Sequence, residues 1–434
     1  MMYIALSNYY RISSMKSTIQ HLFTSVSLLL FCFALNSINA QETAGNYIAD
    51  KKTGTKVWFK HNFEEDSVTW TGFSKAGLAE GFGSMIGFTN GEASSGYIGF
   101  MSEGKPHGNG SFWFWGDRKL EGNFHFGEPL FLENNLIKKL EKNIVSETDT
   151  FSTYVGDNAN TQLYYHSIIP EKTVKGVVVL MPSTWESTEH VLSSMSEFCS
   201  IAYQNQLAVI IPSINQRLTL TDYSINLMNT MFSHAIKHYD LPKDKFVIGG
   251  FSMGGIFSLR YTELSVEKPD ATSIHPVAVF NCDGPCDLAN IYNNFKKKYN
   301  KNPGLNEPIY GMKELESYCG GSPDSAAAQY AHFSPFTNSD PKGGNAKYLK
   351  NLPVRIYGDV DPVWWMKNRN VDMYDLNALD QTAMIQFLND SGNTKAEFIN
   401  AFGKGYRIEG NRHPHSWSII DSHDCIDWIN LYLN

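Results

Sequence analysis

The chain has 434 residues, of which 42% are hydrophobic and 18% charged. This length predicts two domains, and the composition is that of a globular protein able to bury a sizeable core. The formal net charge of −8 argues against nonspecific binding of nucleic acid, because proteins that bind it this way carry a basic surface.

The first forty residues differ from the rest of the chain. They contain Arg11 and Lys16 but no acidic residue, and an apolar block, VSLLLFCFAL, occupies positions 26–35. This block is too short to span a bilayer, and the small residue Ala40 stands where a signal peptide would be cut. We expect residues 1–40 to be a cleaved signal peptide and the protein to be secreted or periplasmic. An uncleaved membrane anchor is the alternative.

The cysteines after this segment are Cys199, Cys282, Cys286, Cys319 and Cys425. In an oxidising compartment some of them should form disulfides, and an odd number leaves at least one thiol free. A bond between Cys286 and Cys319 is one possibility, because both lie in a loop-rich segment. Cys282 and Cys286 have no matching second pair nearby, so their spacing does not indicate a zinc site. We expect no metal and no cofactor.

Residues 70–130 contain an internal repeat of glycines. They fall at positions 72, 77, 81 and 83, again at 99, 104, 108 and 110, and then at 122 and 127. A hydrophobic residue precedes the first glycine of each unit by two positions: Trp70, Tyr97 and Leu120. Strand-like runs such as SFWFW at 111–115 lie between glycines that permit tight turns.

The phrases YIGFMSEGKPHGNGSFWFW and LEGNFHFGEP in this repeat resemble the MORN repeat, which implies a stack of β-hairpins. We therefore predict a small all-β MORN-like hairpin domain over 41–130 and a polar linker over 131–150. The repeat contains no cluster of titratable residues, so a scaffold, a spacer or a docking surface is expected rather than catalysis. The resemblance also implies contact with protein or lipid.

From residue 151 onward, strand-like and helix-like segments alternate. Apolar runs typical of strands buried on both faces are VKGVVVLMP (174–182), LAVIIP (207–212), KFVIGG (245–250), VAVFNCDG (277–284), LPVRIYGDVD (352–361) and KAEFINAF (395–402). Helical patterns separate most of them. This alternation predicts a mostly parallel sheet covered by helices on both sides.

The stretch GFSMG at 250–254 joins the end of a predicted strand to the start of a predicted helix. The glycines at its ends permit a tight turn against the neighbouring strand and helix. A serine in this context is typical of a nucleophile elbow. We therefore predict Ser252 as a catalytic nucleophile, the alternative being a serine that caps the helix.

An acid and a base should follow such a nucleophile along the chain. The predicted strand LPVRIYG ends in GDVDP (358–362), where two carboxylates compete. The pattern resembles the turn after the penultimate strand of α/β-hydrolases, which selects Asp361, with Asp359 as the alternative. The segment GNRHPHSW resembles the H-x-W of many secreted esterases, which selects His415 as the base, with His413 as the alternative.

The oxyanion formed during acyl transfer needs backbone donors. The first should be the N–H of Met253, directly after the nucleophile. The second should come from MPSTWES, where many relatives carry a His-Gly pair and this chain has Pro182 and Ser183. Because proline has no N–H, we expect Thr184 to be the second donor, and the hydroxyl of Ser183 or Thr184 is a further candidate.

Together, residues 151–434 resemble the α/β-hydrolase superfamily, which implies an eight-stranded, mostly parallel sheet. Secreted esterases and prolyl-oligopeptidase-like hydrolases carry a segment similar to GGSPDSAAAQYAHFSPF (320–336). The insertion at about 284–350 is expected to form a cap over the site. Candidate substrate-binding residues, for which simple packing is the alternative, are Trp185, Trp364 and Trp365.

The sequence thus predicts an exported serine hydrolase that cleaves carboxylic esters through a Ser-His-Asp triad and an acyl-enzyme. A small-molecule or carbohydrate-linked ester is the expected substrate, and nucleic acid is not expected to bind. The alternatives are a serine peptidase of the prolyl-oligopeptidase-like type and a binding protein that retains the fold without activity.

Overall fold

A computed structural model describes residues 46–59, 65–114, 118–125, 127–130, 132–146, 162–214, 217–301, 303–304, 306–408 and 411–433. The predicted signal peptide, with its cleavage after Ala40, lies outside the described residues. Among those residues, none of the helices combines the length and hydrophobicity needed to cross a membrane. The chain divides into two units, Met1–Glu121 and Gly122–Asn434.

The first unit is built from antiparallel hairpins. Its strands are β1 (Asn46–Ala49), β2 (Lys56–Phe59), β3 (Ser67–Trp70), β4 (Phe73–Lys75), β5 (Leu78–Thr89), β6 (Glu92–Ser102) and β7 (Lys105–Phe114). The long strands β5, β6 and β7 pair in succession, and β3 and β4 both pair with β5. The predicted all-β region is confirmed. Its likeness to the MORN repeat, and contact with protein or lipid, stay predictions.

Two-residue turns join the long strands of this unit. Between β5 and β6, Asn90 and Gly91 have φ angles of 54° and 81°, and between β6 and β7, Glu103 and Gly104 have φ angles of 53° and 79°. Positive φ at both positions is the type I′ turn, whose twist matches that of the flanking strands. The second glycine of a repeat unit, such as Gly104, is therefore required by its turn.

Buried aromatic rings explain a second part of the glycine spacing. Tyr97 is fully buried, and a Cβ added at Gly110 would lie 2.2 Å from its hydroxyl oxygen. Trp70 has the same relation to Gly83, where an added Cβ would lie 2.4 Å from the indole ring. The aromatic residue that opens a unit thus lies on the glycine that closes it, and no side chain fits between them.

The substitution Gly110→Ala should open the first unit, because the methyl group would displace the buried ring of Tyr97. Overpacking of this kind costs roughly 1–3 kcal/mol, which makes the locally unfolded state about 5- to 150-fold more populated. Limited proteolysis of the full chain, with fragments identified by mass spectrometry, should show faster cleavage within residues 46–114. Gly91→Asn is the matched control, since Gly91 has open space around it and asparagine tolerates positive φ. Equal cleavage rates for both variants would contradict this packing.

The second unit contains one further sheet, of eight strands, and all the helices of the described chain. Strand β8 (Arg118–His125) contains the boundary between the units and forms a hairpin with β9 (Glu128–Leu130). The remaining strands are β10 (Leu140–Ser146), β11 (Leu163–Ile168), β12 (Gly176–Met181), β13 (Leu207–Pro212), β14 (Phe246–Phe251), β15 (Ala278–Cys282), β16 (Val354–Gly358) and β17 (Ala396–Asn400).

The helices of this unit lie between and around those strands. They are α1 (Asn134–Ile137), α2 (Thr188–Ser194), α3 (Ser196–Gln204), α4 (Asp222–Tyr239), α5 (Met253–Glu267), α6 (Leu288–Lys301), α7 (Asn306–Cys319), α8 (Pro323–Phe333), α9 (Pro362–Arg369), α10 (Ala378–Asp390) and α11 (Ser422–Leu433). The segment predicted as a cap, about 284–350, contributes α6, α7 and α8, so it is mainly helical.

Strands β10 to β17 form one eight-stranded sheet in the order β10-β11-β13-β12-β14-β15-β16-β17. The edge strand β10 runs antiparallel to β11, β11 runs antiparallel to β13, and the strands from β13 to β17 run parallel. Strands β12 to β15 are buried along their whole length, which explains why they are continuous apolar runs in the sequence. The second unit therefore has the predicted α/β-hydrolase fold.

The sheet starts earlier in the chain than predicted. Strand β10 and helix α1 lie within 131–150, so the prediction of a linker there is wrong. β10 pairs with β11 over its whole length, from Leu140 to Ser146, but none of its residues is buried. An edge strand with solvent on its open side tolerates charged residues, and for this reason its composition resembles that of a connector.

The cysteines of the second unit are all buried, and none of those the structure describes forms a disulfide. The predicted pairing, including the bond between Cys286 and Cys319, is therefore wrong. The thiols lie in the core, where a free cysteine behaves as a small hydrophobic residue and a weak donor. Burial raises the pKa of Cys199 and of Cys425 to about 12, so both thiols stay protonated at neutral pH.

Candidate active site

Ser252 occupies the turn between β14 and α5. Its φ and ψ angles of 54° and −117° lie in a region that costs a non-glycine residue strain. The N–H of Ser252 donates to the carbonyl oxygen of Cys282 at 3.0 Å, which fastens the turn to β15. Within the described chain the hydroxyl makes no capping hydrogen bond to α5, so the alternative of a capping serine does not hold.

The glycines of the elbow permit close backbone contacts. A Cβ added at Gly254 would lie 2.1 Å from the carbonyl oxygen of Met181, and one added at Gly250 would lie 2.2 Å from the backbone of Gly254. The first contact places the elbow directly against the end of β12. The loop that follows β12, with Thr184, therefore begins beside the elbow.

His415 pairs with Asp283, an aspartate that the sequence analysis did not select. The Nδ1 atom of His415 lies 2.6 Å from Oδ2 of Asp283. A carboxylate only accepts, so Nδ1–H donates and the Nε2 atom remains as the basic nitrogen. Asp283 directly follows β15, and β15 is the neighbour of β14 in the sheet. The acid and Ser252 thus come from adjacent strand ends.

The imidazole of His415 lies beside the elbow. Its ring packs against Phe251, with 4.4 Å between ring centroids, and Phe251 immediately precedes Ser252. The side chains of Ser252 and His415 are both partly exposed. This placement brings a hydroxyl and a basic nitrogen to one accessible surface at the carboxyl edge of the sheet.

Asp283 is itself held firmly and is only 9% exposed. Its N–H donates to the carbonyl oxygen of Tyr357 at 2.9 Å, and its Oδ1 accepts from Nε2 of Gln381 at 3.3 Å. The side-chain amide of Asn377 donates to its carbonyl oxygen at 2.8 Å. These contacts from β16 and the α10 region fix the carboxylate that orients His415.

Asp361 does not contact His415, and the prediction that it is the acid of the site is wrong. Its Oδ1 accepts from the backbone N–H of Trp364 at 2.9 Å and caps α9. Its Oδ2 lies 3.1 Å from a guanidinium nitrogen of Arg412. The physical reason is strand order, because β16 lies one strand farther from β14 than β15 does.

Asp359, the alternative acid, is also bound elsewhere. It accepts from the backbone N–H groups of Gly403 and Gly405 at 3.0 and 2.8 Å, and it pairs with Arg412 at 2.8 Å. Both carboxylates of the turn therefore bind the arginine that precedes His415 by three residues. The sequence did contain a signal for Asp283. Like Asp359, it stands at the end of a buried strand, and a glycine follows it.

His413, the alternative base, is enclosed. Its Nε2 accepts from Arg369 at 3.2 Å, and its Nδ1–H donates to the carbonyl oxygen of His415 at 3.1 Å. Burial, together with the nearby charge of Arg407, lowers the pKa of His413 far below its usual range. A neutral ring with both nitrogens engaged supports the loop but has no lone pair left to act as a base.

The predicted substrate-binding tryptophans lie in two places. Trp364 and Trp365 pack against each other, with 5.2 Å between ring centroids, and against His413. Trp185 has a positive φ of 58° and lies 4.4 Å from the ring of Tyr310 in α7. This contact brings the helical insertion onto the loop after β12. Substrate binding by the three tryptophans stays a prediction.

The loop after β12 is organised by the carboxylate of Glu186. It accepts from the N–H of Ser183 at 2.8 Å and from Nε1 of Trp417 at 3.0 Å. The N–H of Ser183 is therefore engaged, whereas the N–H groups of Thr184 and Met253 donate to no acceptor that the structure describes. These two remain the candidate oxyanion donors. Glu186 also ties this loop to the segment that carries His415.

A buried carboxyl lies behind the acid. Asp380 precedes Gln381 in α10, and its Oδ1 accepts from the amide groups of Asn290 at 2.7 Å and Asn338 at 3.4 Å. Burial raises the pKa of Asp380 from 3.8 to about 7. The folded protein therefore retains a proton that the unfolded chain loses, and stability should fall as the pH rises from about 4 to about 7.

The substitution Asp380→Asn should remove this pH dependence, because the amide oxygen still accepts from both asparagines and carries no charge. At about pH 8 the variant should be more stable than the wild type by on the order of 1–3 kcal/mol, and the difference should vanish near pH 4. Urea denaturation at several pH values measures the free energy of unfolding of the wild type and the variant. Asp390→Asn, at the exposed end of the same helix, is the control. Parallel curves for wild type and Asp380→Asn would refute the assignment.

The sequence matches no protein-family model and no curated protein. Among solved structures, MPT51 of Mycobacterium tuberculosis is similar at 11% identity and a TM-score of 0.43, with 66% of this chain and 99% of that chain covered. Carboxyl esterase 2 of Tuber melanosporum is similar at 15% identity and a TM-score of 0.42, over 68% of this chain and 83% of the other.

A third similar structure is the acylaminoacyl peptidase of Pyrococcus horikoshii. Its identity is 11% and its TM-score 0.42, with 83% of this chain and 49% of the peptidase covered.

Proposed function

We propose that the second unit is a serine hydrolase that cleaves carboxylic esters, with Ser252 as nucleophile, His415 as general base and Asp283 as the orienting acid. The hydrogen bond between His415 and Asp283 beside the strained elbow carries this proposal. A strained serine alone, or a His-Asp pair alone, has a structural explanation. Their meeting at one exposed edge of the sheet supports catalysis.

The proposed reaction follows from the roles of these groups. The Nε2 atom of His415 takes the hydroxyl proton as Ser252 Oγ forms a bond to the ester carbonyl carbon. Asp283 stabilises the imidazolium that results. The tetrahedral intermediate then expels the alcohol, which takes the proton from His415. A water molecule gives a proton to the same nitrogen as it attacks the acyl-enzyme. The second tetrahedral intermediate then releases the carboxylic acid, and Ser252 Oγ takes the proton back from His415.

The negative charge on the carbonyl oxygen needs donors that are already in place. The N–H of Met253 lies at the amino end of α5, where the helix dipole and unpaired N–H groups favour an anion. The N–H of Thr184 is the proposed second donor. Each such donor contributes on the order of 10²–10³ in rate.

The proposed substrate is a small-molecule or carbohydrate-linked ester. An ester is proposed before an amide because its alcohol leaves more readily. The aromatic contact between Trp185 and Tyr310 supplies an apolar surface next to the candidate donor Thr184. Export, which the first forty residues predict, would give the enzyme access to esters outside the cytoplasm.

Replacement of Ser252 by alanine should abolish labelling of the full chain by a fluorophosphonate probe. It should also lower kcat on p-nitrophenyl butyrate by roughly 10⁴–10⁶-fold, because no other hydroxyl occupies the elbow. Ser233→Ala, on the surface of α4, is the matched control and should keep both properties. Turnover of aminoacyl anilides without turnover of short esters would assign a peptidase instead, and absence of labelling in the wild type would indicate a binding protein.

The identity of the acid has a separate test. Asp283→Asn should lower kcat by on the order of 10³–10⁴-fold, because an amide does not stabilise the imidazolium. Asp361→Asn should change kcat by less than about tenfold, since its carboxylate contacts Arg412 and not His415. Both variants should be assayed with the same ester after their folding is verified by circular dichroism. A larger loss in Asp361→Asn would contradict the assignment.

A further inference from the structure

A cluster of two histidines and a glutamate lies in the second unit, apart from the elbow. His125 ends β8, His166 lies in β11, and Glu189 lies in the first turn of α2. One nitrogen of each ring and a carboxylate oxygen all lie within 4.8 Å of one another. No hydrogen bond that the structure describes joins these three residues to Ser252, Asp283 or His415. The proposed reaction therefore does not account for them.

The proton positions in the cluster follow from the hydroxyl of Thr188. It donates its single proton to Oε2 of Glu189 at 2.9 Å, so its oxygen accepts from Nδ1–H of His166 at 2.8 Å. The Nε2 atom of His166 then carries an unprotonated lone pair.

This lone pair has no partner. His166 is 1% exposed, and its Nε2 atom is buried without a hydrogen bond. The atom lies 3.9 Å from Oε1 of Glu189, which is too far for a hydrogen bond. An unsatisfied buried polar atom costs roughly 1–3 kcal/mol. A histidine kept only for packing would be expected to satisfy both of its nitrogens.

We propose that His125 Nδ1, His166 Nε2 and Glu189 Oε1 bind a zinc ion. Ligand atoms at 2.0–2.1 Å from a tetrahedral zinc are about 3.3 Å apart. Two separations in the cluster lie on either side of that value. They are 3.0 Å between His125 Nδ1 and Glu189 Oε1, and 3.9 Å between Glu189 Oε1 and His166 Nε2. Two imidazoles with one carboxylate suit zinc and not magnesium or calcium.

The surroundings of the cluster are those of a metal site. Thr188 contacts two of the three ligands at once, and such hydrogen bonds fix the tautomer and orientation of a ligating histidine. Glu189 is 5% exposed, and a carboxylate so deeply buried needs compensating positive charge. Its Oε1 accepts from Nδ1–H of His125 at 3.0 Å, a hydrogen bond that zinc would replace once the proton has left Nδ1. A zinc ion supplies that charge where the lone pair of His166 already points. A water molecule can take the fourth position.

The ion would support the hydrolase unit and would not take part in ester cleavage. Glu189 follows Glu186 by three residues, and Glu186 holds the N–H of Ser183 and the indole of Trp417. A metal bound to Glu189 would fix the first turn of α2 to β11 and to the end of β8. The loop with the candidate donor Thr184 leads directly into that turn.

Titration of the chelator-treated full chain with zinc chloride, followed by isothermal calorimetry, tests the site. One ion should bind per chain with a dissociation constant of about 1 μM or lower. Cobalt should give the intense visible absorption of a four-coordinate ion, and zinc should raise the temperature of unfolding. These measurements are independent of hydrolase activity, so the proposal can fail while the proposed function stands, and the reverse.

Two ligand variants and one control decide the location. Glu189→Gln and His125→Gln should each weaken zinc binding by at least about 10–100-fold, and His125 is partly exposed, so its variant is expected to fold. His238→Gln is the control. It removes an exposed ring that stacks on the ring of His234 one helical turn away, so it also breaks a pair of imidazoles, but one outside the cluster. It should leave binding unchanged. Absence of zinc binding to the wild type, retention in His125→Gln, or loss in His238→Gln alone would overturn the site.

Discussion

Cys282 joins the three parts of the candidate active site through its backbone and its thiol. Its carbonyl oxygen accepts from the N–H of Ser252 at 3.0 Å, it directly precedes Asp283, and its thiol donates to the carbonyl oxygen of Ser416 at 3.5 Å. The end of β15 thereby holds the strained turn, the acid and the loop of the base. Because β14 and β15 are parallel neighbours, their carboxyl ends meet at this edge without any further folding requirement.

The two aspartates after β16 hold the loop that carries His415. Asp359 and Asp361 both bind Arg412, which stands three residues before His415. Asp359 is almost fully buried, and a buried carboxylate with a bidentate arginine partner and two backbone donors is strongly fixed in place. The acidic turn therefore anchors the loop from which His415 reaches Asp283. Its position resembles that of a triad acid, but its role is to hold the loop.

The sequence was sufficient for the fold and for two of the three proposed catalytic residues, because those depend on local patterns. Buried strands are continuous apolar runs, and Ser252 and His415 follow from an elbow motif and from chain order. The acid depended on which strand lies next to β14, and sequence does not show strand order directly. β10 was missed because an edge strand can be polar. The three residues of the proposed zinc site come from segments that share no motif.

In this unit the apolar core stabilises the fold, whereas polar contacts position the loops beside the candidate active site. Apolar clusters around Phe198, Phe232 and Phe280 hold the helices on the sheet, and burial of such side chains dominates stability. The loop that carries His415 contributes Trp417, Ile419 and Ile420 to one of those clusters. The loops at the carboxyl edge are further positioned by Glu186 with Trp417, Gln381 with Asp283, and Arg412 with its two aspartates. Each of these bonds contributes little net stability, yet each fixes a backbone segment next to the reacting groups. Loss of one partner would therefore disturb the geometry of the site, and it would also destabilise the protein where a buried charge is left unpaired.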